Sequence, residues 1–266
     1  MRAETAETYA HFLKLATNPQ QYDGPVAWSD SRNRPPSIQR AVVRTLPIDM
    51  GDMYGRHVLD IGCGAGWLCD AFAKGGAIPV GVDPSAKLIS LARKRFPTLD
   101  FRHTTFEAFQ TSQTFDVIVC IMSIEHFADL QKLFRKIARL LSPGGTVIVM
   151  SAAYHRLPQS RKGCKLDIVP GTDYDLAIRI NKGDHVMYNL LRTPERITEA
   201  AQWAGLAVQN HRTILAGEWP DFDPQTNDPH RPILDTFTFT LLPAGFAKKD
   251  PGECPQVLSE ASHFHI

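Results

Sequence analysis

The chain has almost no net charge. Its 266 residues carry 29 Lys and Arg against 28 Asp and Glu, a formal balance of +1. The broad positive field of a general nucleic-acid binder is therefore missing. Cysteine is scarce: Cys63, Cys69, Cys120, Cys164 and Cys254 are odd in number and contain no CxxC spacing. That argues against a disulfide framework and against a zinc knuckle. No apolar run approaches the ~20 residues that span a bilayer, and the opening MRAETAETYAHFLKL is too polar for a signal peptide. The expectation is a cytoplasmic protein with reduced thiols and no membrane segment. Internal repeats and low-complexity tracts are also lacking. What is present is ordinary globular composition, 43% apolar and 21% charged, in a chain long enough to bury a sizeable core.

Hydrophobic periodicity divides the chain. Residues 1–18 pattern as an amphipathic helix, with Tyr9, Phe12, Leu13, Leu15 and Ala16 near one face, and 37–46 as a second. The Pro- and Gly-rich stretch between them carries Tyr22 and Trp28. From residue 56, apolar strands at 56–61, 78–82, 99–103, 115–120 and 146–151 alternate with helices at 67–74, 84–96, 105–110 and 127–141. Asp83 and Pro84 read as N-cap and first residue of the second of these helices. Such alternation predicts a parallel sheet covered on both faces. Regularity fails over 152–192, a stretch too long for an ordinary connection and expected to be a lid with structure of its own. Thr193-Pro194-Glu195 restarts a helix to about 204, 206–215 reads as a strand, and 235–242 alternates as an antiparallel strand does. The expected organisation is a helical cover over 1–50, a core over 51–151 and 193–243, the lid insertion 152–192 and a loose tail over 244–266.

The chemistry is concentrated in Val58-Leu59-Asp60-Ile61-Gly62-Cys63-Gly64-Ala65-Gly66-Trp67. A buried strand ends near an acidic residue, and a glycine turn leads into a helix whose first N–H groups are free. This arrangement cradles a nucleotide-like ligand. A dinucleotide site is the rival, but Trp67 stands where that fingerprint needs its third glycine. Asp83, 17 residues after Gly66, closes the second strand where it can reach a ribose diol. The segment resembles the first motif of the class I S-adenosylmethionine-dependent methyltransferases. Val80–Ser85 is similar to their second-strand motif, Thr105-Phe106-Glu107 to their adenine-side residues, and Phe115–Cys120 to their fourth-strand motif. Ile124-Glu125-His126-Phe127 resembles the Glu-His step of the ubiquinone- and menaquinone-biosynthesis type, and Leu140–Gly145 the turn before the fifth strand.

The resemblance implies an α/β fold with a doubly wound, seven-stranded, mostly parallel sheet of order 3-2-1-4-5-7-6, the last strand antiparallel. It implies S-adenosylmethionine as cofactor, S-adenosylhomocysteine as product, and Asp60, Gly62, Cys63, Gly64, Gly66, Trp67, Asp83, Thr105, Phe106, Cys120 and Ile121 as its binding residues. Asp60 would position the ammonium end, Asp83 the ribose hydroxyls, and Phe106 would stack on adenine. His126 is the first catalytic candidate, as a base near neutrality for a hydroxyl or ammonium nucleophile; the bland alternative is a brace for the following helix. His185 is the second candidate, against a solvated position. Tyr22, Trp28, Tyr154 and His155 are expected to line the substrate. The basic cluster Arg156, Arg161, Lys162 and Lys165 and the loop residues Asp221, Asp223, Asp228 and His230 read better as solvated surface than as anion or metal sites. Three family signatures are missing after the fourth strand, where the chain reads Cys120-Ile121-Met122-Ser123: the Asn/Asp-Pro-Pro-aromatic motif of exocyclic-amine enzymes, the Pro-Cys of cytosine enzymes, and the metal carboxylates of catechol enzymes. The expectation is metal-free transfer to an O or N atom of a small molecule, with no nucleic-acid or membrane partner. Carbon methylation, a macromolecular acceptor and a non-catalytic binding module stay open.

Overall fold

Five strands pair in parallel because each βα step returns the chain to the same edge of the sheet. The structure, a computed structural model, describes residues 3–18, 20–23, 36–154, 165–171, 175–182, 185–219 and 228–242. Strands β1 (His57–Ile61), β2 (Ile78–Asp83), β3 (Asp100–His103), β4 (Phe115–Ile121) and β5 (Leu141–Ala152) alternate with helices α3 (Trp67–Lys74), α4 (Ala86–Arg95) and α5 (Leu130–Leu140). Helices α1 (Ala3–Ala16) and α2 (Pro36–Thr45) precede them. Helix α6 (Pro194–Trp203) leads to β9 (Leu206–Leu215) and β10 (Pro232–Leu241). The seven-stranded sheet runs β3-β2-β1-β4-β5-β10-β9, and β10 is antiparallel to both neighbours. This is the order and strand direction expected from the sequence.

Alternation of side chains along each strand builds two cores. Val117 and Val119 of β4 face α2 and α3 with Val42, Leu46, Leu68 and Phe72. Ile118 and Cys120 face α5 and α6, with Phe134, Ile137, Ile197 and Ala201. The Phe134 ring is fully buried against Phe239 of β10, their centroids 5.5 Å apart. Truncating such a side chain to Ala typically costs about 3–5 kcal/mol.

Local chemistry fixes the helix ends, and here some expectations need correction. Asp83 does not cap α4, and Pro84 is not its first residue. Ser85 is the cap, its Oγ accepting from Leu88 N at 3.2 Å. Asp83 instead ends β2, with both carboxylate oxygens committed to backbone N–H groups. Residues 105–110 form a single turn rather than a short helix, with Thr105 Oγ1 accepting from Ala108 N. Helix α5 starts three residues later than expected, because Asp129 caps it through Lys132 N. The break expected at Ser142–Gly145 is an irregularity within β5, which begins at Leu141. Thr193 and Pro194 open α6 as expected.

Much of the 152–192 insertion forms a second sheet. Strands β6 (Lys165–Pro170), β7 (Leu176–Lys182) and β8 (His185–Leu191) pair antiparallel in that order. Helix α1 packs on this sheet, with Tyr9, Phe12, Leu13 and Ala16 against Ala177, Tyr188 and Leu190. The N-terminal helix therefore packs on the inserted sheet, and its last residue, Ala16, also reaches His126 beyond β4. Trp28, His155, Arg156, Arg161, Lys162, Asp221, Asp223 and the 244–266 tail lie outside the described residues. Among the described residues no helix is long and apolar enough to cross a membrane.

Candidate active site

The site is assembled where β1, β2 and β4 end. After Ile61 the backbone is left-handed at Gly62 (φ 75°), Gly64 (54°) and Gly66 (80°), a conformation that other L residues adopt at a cost. The amides of Gly62 and Cys63 both donate to Val82 O, at 2.8 and 3.1 Å, which ties the turn to β2. A Cβ on Gly62 would lie 2.5 Å from Ser123 Cβ, and one on Gly66 would lie 2.5 Å from Phe101 Cζ. Ser123 reaches this position because Met122 is left-handed (φ 55°) and turns the chain sharply after β4. Its Oγ then donates to Ile61 O at 2.6 Å and clamps the end of β1.

Two carboxylates flank the turn. Asp60 is buried, with the Cys69 thiol donating to its Oδ2 at 3.4 Å. Burial pushes its carboxyl up to about 7, with the hydrogen bond from Cys69 opposing and the nearby Asp83 charge adding to the rise. Asp83 is also buried. It accepts Gly64 N at 2.9 Å on one oxygen and Ser85 N at 2.8 Å on the other. Burial raises it to about 6, against the pull of those two N–H groups. Each oxygen of Asp83 keeps a lone pair for a further donor.

Beyond Ser123, a 3-10 turn (Ile124–His126) carries the Glu-His step. Glu125 is buried. Its Oε1 accepts Ala152 N at 2.7 Å, while Oε2 has no hydrogen-bond partner among the described residues. Burial pushes its carboxyl up to about 6. Arg192, at the end of β8, holds the same turn from the other side. Its Nη2 donates to Phe127 O at 2.6 Å, its Nη1 reaches Ile124 O at 3.4 Å, and its Nε pairs with Asp175 Oδ2 at 3.4 Å. A planar fork suits this divided task.

His126 is half-buried and burial pushes it down to about 4, so it is neutral at pH 7 rather than poised near neutrality as the sequence suggested. Its ring lies among groups of the N-terminal segment. Nδ1 is 3.0 Å from Ala16 O and 3.1 Å from Gln21 Nε2, and Nε2 is 2.6 Å from Tyr22 Oη. The same segment continues to α4, where Ser85 Oγ donates to Asp23 Oδ1 at 2.5 Å. Gln21 Oε1 also accepts Tyr188 N of β8 at 3.3 Å. Residues 21–23 thus pass from the end of β4 to the end of β2, across the mouth of the glycine turn.

A methyltransferase-domain family model matches residues 31–214, more than half of the 266. The chain belongs to the S-adenosylmethionine-dependent methyltransferase family. Among its relatives is a ubiquinone biosynthesis O-methyltransferase of Rhodopseudomonas palustris (strain BisA53). It is 32% identical over 181 residues, which span 65% of this chain and 68% of that protein. The fold is similar to that of a methyltransferase from Listeria monocytogenes (TM-score 0.61, 18% identity, 78% of this chain and 99% of that one). It is also similar to an amino pentose methyltransferase of Micromonospora echinaspora, solved with its methyl donor bound (TM-score 0.54, 16% identity, 77% and 92%).

Within this methyltransferase most expected site residues converge. Asp60, the three glycines, Cys63, Trp67 and Asp83 surround one turn, and Cys120 and Ile121 end the adjacent strand. The Cys120 thiol turns to Ser123 Oγ at 3.1 Å, so only its backbone faces the strand end. Phe106 needs correction: its ring is buried in the core, edge-on to Phe127, with Lys136 Nζ 5.1 Å from its centroid. That ring is not open for an adenine stack. Tyr154 packs with Ile178 and Leu191 under the inserted sheet. His185 begins β8 opposite Lys182, at the end of that strand remote from Arg192. Among the described residues no three His, Cys, Asp or Glu side chains group as metal ligands do. The roles of Ser123, Arg192 and Asp23 are visible only in three dimensions. Each joins positions distant in the chain, and no local pattern marks them.

Proposed function

We propose that this methyltransferase moves the methyl group of S-adenosylmethionine to a hydroxyl oxygen of a small metabolite. The observation that carries the reading is the pair of buried carboxylates, Asp60 and Asp83, flanking a left-handed glycine turn at the carboxyl edge of the sheet. Ligands of open α/β sheets bind at this edge. The residues fit the donor chemically. A buried Asp60 whose charge is held off by burial regains it beside an ammonium group, and the lone pairs left on Asp83 suit two vicinal hydroxyls. Glycine at 62, 64 and 66 lets the backbone approach a carboxylate and sulfonium closely. The backbone of Thr105-Phe106, rather than the Phe106 ring, borders the adenine.

When bound, the donor supplies an electrophilic methyl carbon on sulfur, and the protein's task is alignment. Asp60, Asp83 and the glycine turn fix one reactant. The strap of residues 21–23, Tyr154 and the β6–β8 sheet wall off the acceptor side and exclude water. The 152–192 insertion serves as a cover. Oxygen is favoured over nitrogen because the relatives above 30% identity are named as O-methyltransferases, whereas the aminosugar enzyme shares the fold alone. The test is incubation with methyl-labelled donor and pooled small metabolites, read by mass spectrometry. Label in an O-methyl ether supports the reading. Label on nitrogen or carbon, or label only on added protein or nucleic acid, overturns it.

A further inference from the structure

We propose that the side-chain amide of Asn189, on the inserted sheet, hydrogen-bonds a polar substituent of the methyl acceptor and so sets which acceptors are held. The proposal rests on the O-methyl reading above and deepens it by naming a residue for the acceptor side. Strand register places the side chain. Residues directly opposite each other in an antiparallel pair share a face of the sheet. Asn189 stands opposite Ile178, between the pairs Ile180–Met187 and Leu176–Leu191. Ile178 and Leu191 pack with Ala152, Tyr154 and Met122, the residue that turns the chain after β4. The face that carries Asn189 therefore looks onto the carboxyl ends of β4 and β5. Tyr188 and Leu190, on either side of it in the strand, face α1 instead. The strap closes on the same strand, Gln21 Oε1 accepting Tyr188 N at 3.3 Å.

The polar groups of the sheet are unequally provided for. On the α1 face Asp167 pairs with Arg179 at 3.6 Å and accepts Asn181 Nδ2 at 3.4 Å. On the opposite face Asn189 sits beside Ile178, Met187 and Leu191. Its Oδ1 is sealed from solvent and has no hydrogen-bond partner among the described residues, while the residue as a whole is half-buried. A half-turn of the amide exchanges its two ends, so either the oxygen or the N–H pair can be turned to the open side. A sealed amide without a partner weakens the fold, and residues kept for binding are commonly carried at such a cost. A ligand that supplies the missing bond accounts for the placement. The fitting group is a neutral hydroxyl or carbonyl: the amide can pair with either, and the apolar side chains beside it offer a charged group no counter-ion. Asn189 moves no proton; it selects and orients.

Asn189→Leu, which keeps the size and removes the amide, tests this in two ways. The variant is expected to melt no lower than wild type. A midpoint more than about 4 °C lower would mark the amide as a structural bond and overturns the proposal. Catechol and phenol, two neutral rings that differ by one hydroxyl, are then titrated by calorimetry into protein saturated with S-adenosylhomocysteine. Wild type is expected to hold catechol about tenfold more tightly than phenol, the worth of one hydrogen bond. In Asn189→Leu that ratio should fall to near one, with S-adenosylhomocysteine bound within twofold of wild type. An unchanged ratio in the variant, no preference in wild type, or wild-type binding of neither probe overturns the proposal. Loss of the preference in Asn189→Leu, together with methyl label found on nitrogen or carbon, overturns the O-methyl reading and supports this one.

Discussion

Gly62→Ala is the sharpest probe of how the site is built. Gly62 has φ 75°, and its missing Cβ would fall 2.5 Å from Ser123 Cβ and 2.9 Å from Ser123 Oγ. The left-handed backbone costs a non-glycine residue about 1–2 kcal/mol. Forcing a methyl into filled space costs about 1–3 kcal/mol more, because Ser123 is anchored to Ile61 O and has no slack. The sum is roughly 2–5 kcal/mol, a large share of the ~5–15 kcal/mol of a typical domain. At about 2–4 °C per kcal/mol for a chain of this size, the melting midpoint falls by roughly 4–20 °C. The assay is urea denaturation of Gly62→Ala, Ser123→Gly and the double variant. Ser123→Gly removes the obstacle but leaves the backbone strain, so the cycle should show a favourable coupling of about 1–3 kcal/mol. A single variant costing less than about 0.5 kcal/mol, or strictly additive effects, would refute the reasoning.

Other predictions concern charge. Folded Asp60 and Asp83 keep their protons to about 7 and about 6, whereas unfolded carboxyls lose them near ~4. The folded state therefore binds more protons between those values, and these groups make stability fall as pH rises through that window. Asp60→Asn should flatten the fall in denaturation measured from pH 4 to pH 7; an unchanged slope contradicts the assignment. Arg192→Met should cost about 1–3 kcal/mol, since it leaves Phe127 O without its donor and the partly buried Asp175 with Arg196 in place of its closer Arg192 partner. Arg192→Lys should recover only part of that, having no fork, and full recovery in thermal melts would count against the described role. Ser85→Ala should cost about 1 kcal/mol as a lost N-cap and should also free Asp23 from the mouth of the site.

The parallel core was legible because each of its signals is local. Val58–Ile61, Ile78–Val82 and Phe115–Cys120 are continuous apolar runs, and Thr193-Pro194 announces a helix within two residues. The glycine turn with Asp60 and Asp83 was legible for the same reason. What failed was the choice between neighbouring polar residues: in Asp83-Pro84-Ser85 either Asp or Ser can cap, and tertiary demand decided. Gly64 N takes Asp83, which leaves Ser85 to cap α4. Phe106 was expected to stack on adenine, but Phe127 and Lys136, more than twenty residues on, claim its ring. The three-stranded sheet of the insertion has alternation too weak to read beside its mixed charges. The Tyr22–His126 pair joins positions 104 residues apart, and no spacing rule reaches that far.

The central claim is that Asp60, Asp83 and the glycine turn hold S-adenosylmethionine. Calorimetric titration of the full chain with S-adenosylhomocysteine tests it most directly, with NADH as the competing ligand and Asp83→Asn as the control. The account predicts micromolar binding of S-adenosylhomocysteine that weakens at least tenfold in Asp83→Asn, together with no binding of NADH. Binding of NADH in its place, or S-adenosylhomocysteine affinity indifferent to Asp83, would contradict it.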